Sequence, residues 1–569
     1  MAVLDTAIHV FKSASRGVDD RVKLRVEPGH DGKRNQPKMT GSAEQIMTGA
    51  TPYYITTPIY YVNDAPHIGH AYTTIACDAL ARFMRLDGRR VKFLTGTDEH
   101  GQKVAKSARD AGIEPQEFCD RVAQNFRDMT VLMNISNDDF IRTTEPRHVR
   151  ASQAIWQELE KRGEIYLGSF AGWYSVRDEA FYEEDELVVG PEGKKRAPSG
   201  AEVEWVEEEN YFFRLSAWQD RLLEFYDANP DFIGPRSRRN EVVSFVKSGL
   251  RDLSVSRTSF TWGIPVPGDP KHVMYVWLDA LTNYLTAAGY PDVESAEFTT
   301  FWPADLHMVG KDIVRFHAVY WPAFLMAAGL APPRRVFAHG WWTVEGEKMS
   351  KSLGNFIPPA KLVDEYGVDA VRYFLLRELP FGSDGDFSRH AVVGRINSDL
   401  ANDLGNLAQR VLSMINKNCA AAVPQPGTLT AADEALLASC RTLLPRLRVD
   451  LAEQGFHRGL EAIWEVISAG NRYVDEQAPW ALAKTDRARM GTVLYVLAEV
   501  IRQIAILVQP IVPQGAARML DQLAVAPGAR DFASLVGNPL AAGTALPKPQ
   551  GIFPRHLVEG APDKGGKGG

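Results

Sequence analysis

Between Tyr53 and Gly96 the chain changes its hydrophobic period twice. Tyr53-Tyr54-Ile55-Thr56-Thr57 is aromatic and β-branched, which predicts a strand. Asn63-Asp64-Ala65-Pro66 is a run of turn formers. From His67 to Leu86 the apolar residues recur at helical spacing, with Ile75, Ala79, Leu80 and Phe83 on one face. Val91-Lys92-Phe93-Leu94-Thr95-Gly96 then reads as a second strand. Strand, helix, strand in this order commits the chain to an α/β fold with a parallel sheet, because parallel neighbours need a crossover between them.

Residues 163–267 interrupt that rhythm. Trp173, Tyr174, Phe181, Tyr182, Trp205, Tyr211 and Phe212 stand among many acids, which predicts a mixed domain inserted into the sheet. Strand-like segments return at His272 to Trp277, Leu306 to Val309 and Arg335 to Ala338. From about residue 389 the pattern is helical: Val393, Ile396, Leu400, Leu404, Leu407, Val411 and Leu412 share a face. Further periodic stretches over about 431–454, 456–478 and 486–509 complete an all-α bundle. Residues 1–50 hold few aromatics and read as a disordered extension. Residues 548–569 end in Lys-Gly-Gly-Lys-Gly-Gly and read as a flexible tail.

Lys+Arg total 64 and Asp+Glu 71, a net charge of −7, which argues against binding of a polyanion through bulk charge and leaves local basic contacts. Cys77, Cys119, Cys419 and Cys440 form no C-x-x-C pair, which argues against a disulfide framework and suits a reducing compartment. The best membrane candidate, Gly491 to Pro513, is broken by Glu499, Arg502 and Gln503, so a buried helix is expected there and no membrane. The N-terminus lacks a secretory apolar run, and Asp5, Asp19, Asp20 and Glu27 argue against a mitochondrial presequence. The expected location is cytoplasmic.

Two motifs carry chemistry. His67-Ile68-Gly69-His70 follows a strand and a turn and opens a helix. A helix N-terminus offers unpaired N–H groups and partial positive charge, so it binds phosphate. Gly69 lets a nucleotide come close, and the two imidazoles add donors. Lys348-Met349-Ser350-Lys351-Ser352 is a cationic loop able to neutralise charge on a departing pyrophosphate.

In this order the two motifs resemble the paired signatures of class I aminoacyl-tRNA synthetases. Neighbouring residues narrow the resemblance to the methionyl-tRNA synthetase family, in a type whose knuckle lacks zinc: Tyr54 to Asn63, Thr95 to Gly101, Tyr275 to Ala280, Val309 to His317 and Ala478-Pro479-Trp480. It is collinear from about Tyr53 to about Val512. It implies a Rossmann-type catalytic domain over 51–162 and 268–334, a connective domain inserted at 163–267, a loop and stem-contact region at 335–388, and an all-α anticodon-binding domain at 389–547.

The resemblance also implies site residues. Methionine would be held by Ile59, Tyr61, Asp98, Trp277, Ala280, Tyr284, Ile313, Phe316 and His317, with Asp98 on the ammonium group. A thioether calls for aromatic walls with a weak donor near the sulfur, supplied by Tyr284 and His317. ATP, with Mg²⁺, would contact His67, Gly69, His70, Gly310, Asp312, Trp342 and Lys351, the Trp342 segment mostly through backbone. His67, His70, Lys348 and Lys351 would be catalytic. Asn406, Arg410, Pro479 and Trp480 fall on anticodon-contact positions. The partners implied are L-methionine and the initiator and elongator methionine tRNAs.

Two family features are missing. Ser175 and Asp178 stand where a first C-x-x-C pair would be, and Ala197-Pro198-Ser199-Gly200 replaces the second, so no structural zinc is expected. The chain ends soon after the bundle, with no C-terminal OB-fold, and a monomer is expected. The nearest alternatives are the cysteinyl and leucyl enzymes, which would need a thiolate-bound zinc or a large editing insertion. A catalytically silent tRNA-binding relative would have no use for both histidines, both lysines and Asp98.

Overall fold

The computed structural model describes residues 51–62, 65–175, 180–182, 184–190, 193–344, 347–348 and 356–556. The expected disorder of residues 1–50 lies outside these, as do Asp178 and the tail beyond 556.

Seven strands form one sheet: β1 (Pro52–Thr56), β2 (Tyr60–Tyr61), β3 (Arg90–Asp98), β4 (Asp139–Arg142), β5 (Ile233–Gly234), β6 (Leu306–Gly310) and β7 (Val336–His339). Their order is β5-β7-β6-β1-β3-β2, with β4 also pairing with β3, and every pairing is parallel. The chain leaves β1 for β3 on one side and later returns to β6 on the other. Spatial order therefore reverses beside β1, and the crevice at such a point is where open α/β sheets bind ligands. The helix α1 (Ile68–Leu86) forms the first crossover.

The sequence boundaries need two corrections here. β7 is a full partner of β6, so an edge to the catalytic domain at residue 334 cuts through its sheet. Ile233–Gly234, read as part of the insertion, pairs with Val336–Phe337 at the edge of the same sheet. A two-residue strand is too short to show a period, so only its distant partner identifies it. The antiparallel sheet of the insertion is built on Ile165–Ser175 against Glu204–Phe213.

The helices that matter below are α2 (Val276–Ala287), α3 (Val368–Arg377), α4 (Asn406–Asn418), α5 (Ala431–Arg441), α6 (Phe456–Gln477), α7 (Pro479–Thr485) and α8 (Arg487–Val508). The periodic stretch 431–454 is two helices, α5 and Leu443–Ala452. Pro445, in the first turn of the second, has no N–H with which to continue the first. Among the described residues α8 is the one helix long and apolar enough to cross a membrane, and 89% of its apolar window is buried in the bundle. Its Glu499 and Arg502 form a buried pair, and Arg502 also donates to the carbonyls of Ser534 and Leu535.

The parallel sheet and the helical bundle are welded through α1. Asp78 of α1 and Arg372 of α3 are fully buried and pair at 2.6 Å. The Arg372 guanidinium also donates to the carbonyls of Met133, Pro510 and Ile511. Removing one member of such a pair leaves a stranded buried charge, worth about 3–5 kcal/mol. At the end of α1, Asp87 pairs with Arg448 at 2.6 Å.

The tail is a third correction: residues 548–556 are not free. Ile552 is buried, and Phe553 fills the space left by the missing side chain of Gly515. Side-chain amides serve the tail's backbone, Gln522 accepting from the Gln550 N–H at 2.7 Å and Asn397 from the His556 N–H at 2.9 Å.

Candidate active site

A cavity of about 290 Å³ opens at the C-terminal edge of the sheet, beside the reversal point. His67, Gly69, His70, Ile59, Tyr61, Asp98, Trp277, Ala280, Tyr284, Gly310, Asp312, Ile313, Phe316, His317 and Trp342 all line it. They arrive from the ends of β1, β3 and β6, from α1 and α2, and from the segment after β7.

His67 is the N-cap of α1. Its Nδ1 accepts the Gly69 N–H at 3.0 Å, while the His67 N–H donates to Nδ1 of His70 at 3.1 Å. This is a reciprocal capping box built from imidazoles. Burial pushes the pKa of His67 down to about 4; burial, then His67, pushes that of His70 well below its ordinary value. Both rings are therefore neutral at pH 7. A neutral imidazole whose Nδ1 accepts carries its proton on Nε2. The stacked rings, 3.8 Å apart, thus hold two Nε2–H donors at a helix N-terminus.

Gly69 serves this cap directly. A Cβ there would lie 2.8 Å from Cε1 and 3.0 Å from Nδ1 of His67. The sequence argument had reserved that space for the nucleotide; the ring of His67 takes it first. Gly69→Ala is expected to displace the His67 ring and lower amino-acid-dependent ATP–pyrophosphate exchange about tenfold, since a cap of this kind is worth ~1 kcal/mol and the donor it aims is lost as well.

The other end of the cavity is aromatic. Trp277 and Phe316 stack face to face, 3.3 Å between centroids and 10° between planes. Tyr284, one helical face along α2 from Trp277, has its Oη 2.7 Å from Nε2 of His317, whose Nδ1 lies 3.0 Å from the Ile313 carbonyl. A carbonyl only accepts, so Nδ1 carries the proton, Nε2 accepts, and the Tyr284 hydroxyl donates. Burial holds the His317 pKa near 4, so no second ring proton is present. The weak donor anticipated beside the sulfur is thus already used inside this pair. What it presents to a thioether is polarisable ring surface and the lone pairs of Tyr284.

At the end expected to take the nucleotide, Asp312 accepts from Nε1 of Trp341 at 3.0 Å. A Cβ at Gly310 would sit 2.5 Å from that carboxylate, which explains the glycine. Trp342 lines the cavity, its indole edge-on to Tyr72, and neither its Nε1 nor the Tyr72 hydroxyl has a partner among the described residues. Sequence reasoning missed Tyr72, Thr73 and Asn283, which also line the cavity, as does His339 of the expected Trp342 segment. The signal was present for two of them, since Tyr72 and Thr73 follow His67-Ile68-Gly69-His70 by one turn of the same helix. Nδ1 of His339 donates to the Gly340 carbonyl at 2.8 Å, and its Nε2 accepts from Thr73 at 2.7 Å.

The lysine loop springs from this wall. The backbone of Lys348 lies in the strand Glu347–Lys348, antiparallel to Trp342–Val344. Lys351 and the rest of the loop lie outside the described residues.

In the bundle, Asn406 and Arg410 are one turn apart on α4. Arg410 pairs with Asp475 at 2.7 Å and sets its guanidinium 5.7 Å from the ring of Trp480, which is 48% exposed. Trp480 and the buried Pro479 open the short helix α7, joined to α6 through Ala478 alone, at φ +42°. Both flanks of α7 are clamped. Buried Asp433 pairs with Arg489 of α8 at 2.5 Å, accepts from Tyr473 of α6, and accepts the Thr430 N–H at 2.8 Å. Arg489 also donates to Gln477 at 2.7 Å.

Known proteins match along both halves. Residues 53–412 match the family described as tRNA synthetases class I (M), and residues 423–559 match the anticodon binding domain of methionyl tRNA ligase. The methionine–tRNA ligase of Brucella suis is 60% identical over 505 residues, 89% of this chain and 98% of that one. That of Mesorhizobium japonicum is 58% identical over 508 residues, again 89% and 98%. The structure of Mycobacterium tuberculosis methionyl-tRNA synthetase in complex with methionyl-adenylate is similar with a TM-score of 0.86 at 55% identity, covering 89% of this chain and 100% of that one. A parallel-sheet domain carrying both signatures, an anticodon-type bundle and identities of this size leave one assignment: the chain belongs to the methionyl-tRNA synthetase family of class I aminoacyl-tRNA synthetases.

Proposed function

We propose that this chain is a methionine–tRNA ligase, activating L-methionine with ATP and passing the methionyl group to methionine tRNA. The observation that carries it is one continuous cavity that joins neutral donors at a helix N-terminus to an aromatic slot with a carboxylate beside it. ATP enters as its Mg²⁺ complex. A carboxylate oxygen of methionine attacks the α-phosphorus in line, and the bond to the β-phosphate breaks. Methionyl-adenylate and pyrophosphate result. His67 and His70 donate to phosphate oxygens through Nε2–H, and Lys351, with Lys348, neutralises the departing pyrophosphate. Asp98 holds the ammonium group; Ile59, Tyr61, Trp277, Ala280, Tyr284, Ile313, Phe316 and His317 enclose the side chain. Gly310, Asp312 and Trp342 hold the nucleoside. Most of the rate then comes from proximity and electrostatics, because no protein nucleophile is needed.

A ribose hydroxyl of the terminal adenosine of the tRNA, the 2′-OH in this class, next attacks the adenylate carbonyl, and AMP leaves. Asn406, Arg410, Pro479 and Trp480 read the anticodon by stacking and edge hydrogen bonds. We assign initiator and elongator methionine tRNAs alike as substrates, a monomer as the working form, no structural zinc, and the cytoplasm as the compartment, which four free cysteines suit. The test is ATP–pyrophosphate exchange without tRNA across all twenty amino acids. Exchange with methionine alone supports the reading. Exchange with another amino acid overturns the pocket assignment, and exchange with none overturns the activity.

A further inference from the structure

Two of the motifs that carry the family resemblance, Thr95 to Gly101 and Tyr275 to Ala280, contain residues that no step above uses. Asp98 lines the cavity, whereas Glu99, His100 and Asp279 do not. Each is nevertheless buried.

Asp279 lies in the first turn of α2, fully buried. Its two oxygens face two imidazoles from different parts of the chain: Oδ2 is 2.7 Å from Nδ1 of His100, and Oδ1 is 2.8 Å from Nε2 of His148. Nδ1 of His148 in turn meets the Thr286 hydroxyl of α2 at 3.1 Å. Burial by itself would raise the carboxyl pKa, but the two imidazoles outweigh it and bring it to about 2. So a carboxylate charge is kept inside the protein beside the cavity but out of its wall, at a position where an apolar residue would pack without desolvation cost.

Its connections define its use. His100 is two residues past Asp98, at the end of β3. Glu99, between them, points the other way and takes Arg142 at 2.6 and 2.9 Å, Thr144 at 2.6 Å and Thr97 at 2.7 Å. The loop is thus fastened on both sides of Asp98. On the far side of the hydrogen bond, Asp279 shares a helix with Trp277, Ala280 and Tyr284.

We propose that Asp279 is a positioning residue for amino-acid recognition: through His100 it sets the distance between Asp98 and the aromatic slot of α2. The proposal rests on the reading of this end of the cavity as the methionine site. An amino acid must meet its carboxylate and its slot together, and a misplacement near 1 Å between the two costs on the order of a hundredfold.

The test compares KM for methionine and for ATP in pyrophosphate exchange, in the full-length chain, for Asp279→Asn, His100→Ala, His100→Asn and Asp98→Asn. Asparagine at 279 keeps the shape but turns an N–H toward one imidazole. Asparagine at 100 places an amide N–H where Nδ1–H stood. Asp279→Asn and His100→Ala are expected to raise the methionine KM about tenfold or more with the ATP KM within twofold, and His100→Asn to recover most of the loss. An equal rise in both KM values, or no recovery in His100→Asn, overturns the proposal by marking the cluster as general support. If Asp98→Asn raises the methionine KM while Asp279→Asn and His100→Ala do not, the proposal fails and the pocket reading stands. If Asp98→Asn itself leaves it unchanged, the pocket reading fails and the proposal with it. Should Asp279→Asn not fold, the two His100 variants decide alone.

Discussion

His70→Asn is expected to slow single-turnover formation of methionyl-adenylate by about 10²–10³, with methionine and ATP affinities within a few-fold of the parent. The choice of asparagine follows from the cap. Nδ1 of His70 accepts the His67 N–H, and an asparagine oxygen can occupy that acceptor position. The helix start is then kept, and only the Nε2–H donor is withdrawn. A donor aimed at charge that grows in the transition state acts on the chemical step and not on ground-state binding. His70→Ala loses donor and cap together, so a rate for Ala equal to that for Asn assigns the effect to the donor. A near-parental rate for Asn would instead mean that His70 serves the helix alone. The same geometry sets the pH response. Because burial lowers both pKa values, to about 4 for His67, neither ring gains a proton as pH falls from 8 to 6. The parental activation rate should stay level across that range, where an imidazole titrating at its ordinary pKa of about 6.5 would impose a step.

How much of this was legible beforehand depended on distance along the chain. The strand, helix and strand from Tyr53 to Gly96 were readable because each has its own local period. Bundle helices such as α6 and α8 were readable within a residue for the same reason. The pocket residues came from family resemblance rather than from period, since the aromatic faces of Trp277 and Phe316 look like core until they are seen stacked at a cavity rim. What stayed hidden was pairing at long range. Ile233–Gly234 is a strand only because Val336–Phe337 lies beside it. Ile552 and Phe553 sit in a segment rich in Gly, Pro and Lys, and only the gap at Gly515 makes them core. Proton positions were hidden as well: the Tyr284 hydroxyl is committed to His317 because Ile313, one helical turn earlier, fixes the tautomer.

Trp480→Ala should leave methionine-dependent pyrophosphate exchange unchanged and lower kcat/KM for tRNA charging by roughly 5- to 150-fold, the equivalent of about 1–3 kcal/mol for one base–aromatic stack. The size rests on how the ring is presented. Trp480 is half-exposed with Arg410 beside it, so a base meets an aromatic plane and a cation together. The ring pays little ordering cost on binding, because α7 is already held at both flanks through Asp433, Arg489 and Gln477. For the same reason the substitution should not disturb the fold: those contacts involve neither Trp480 nor the cavity. Trp480→Phe keeps a stacking plane and should retain most of the charging activity, so the order Trp, Phe, Ala separates stacking from bulk. The loss should also depend on the anticodon, a tRNA altered there being charged no worse by Trp480→Ala than by the parent. Parallel loss of exchange and charging would point to damage reaching the sheet through α1 and Arg372, and full charging by Trp480→Ala would remove Trp480 from the anticodon site.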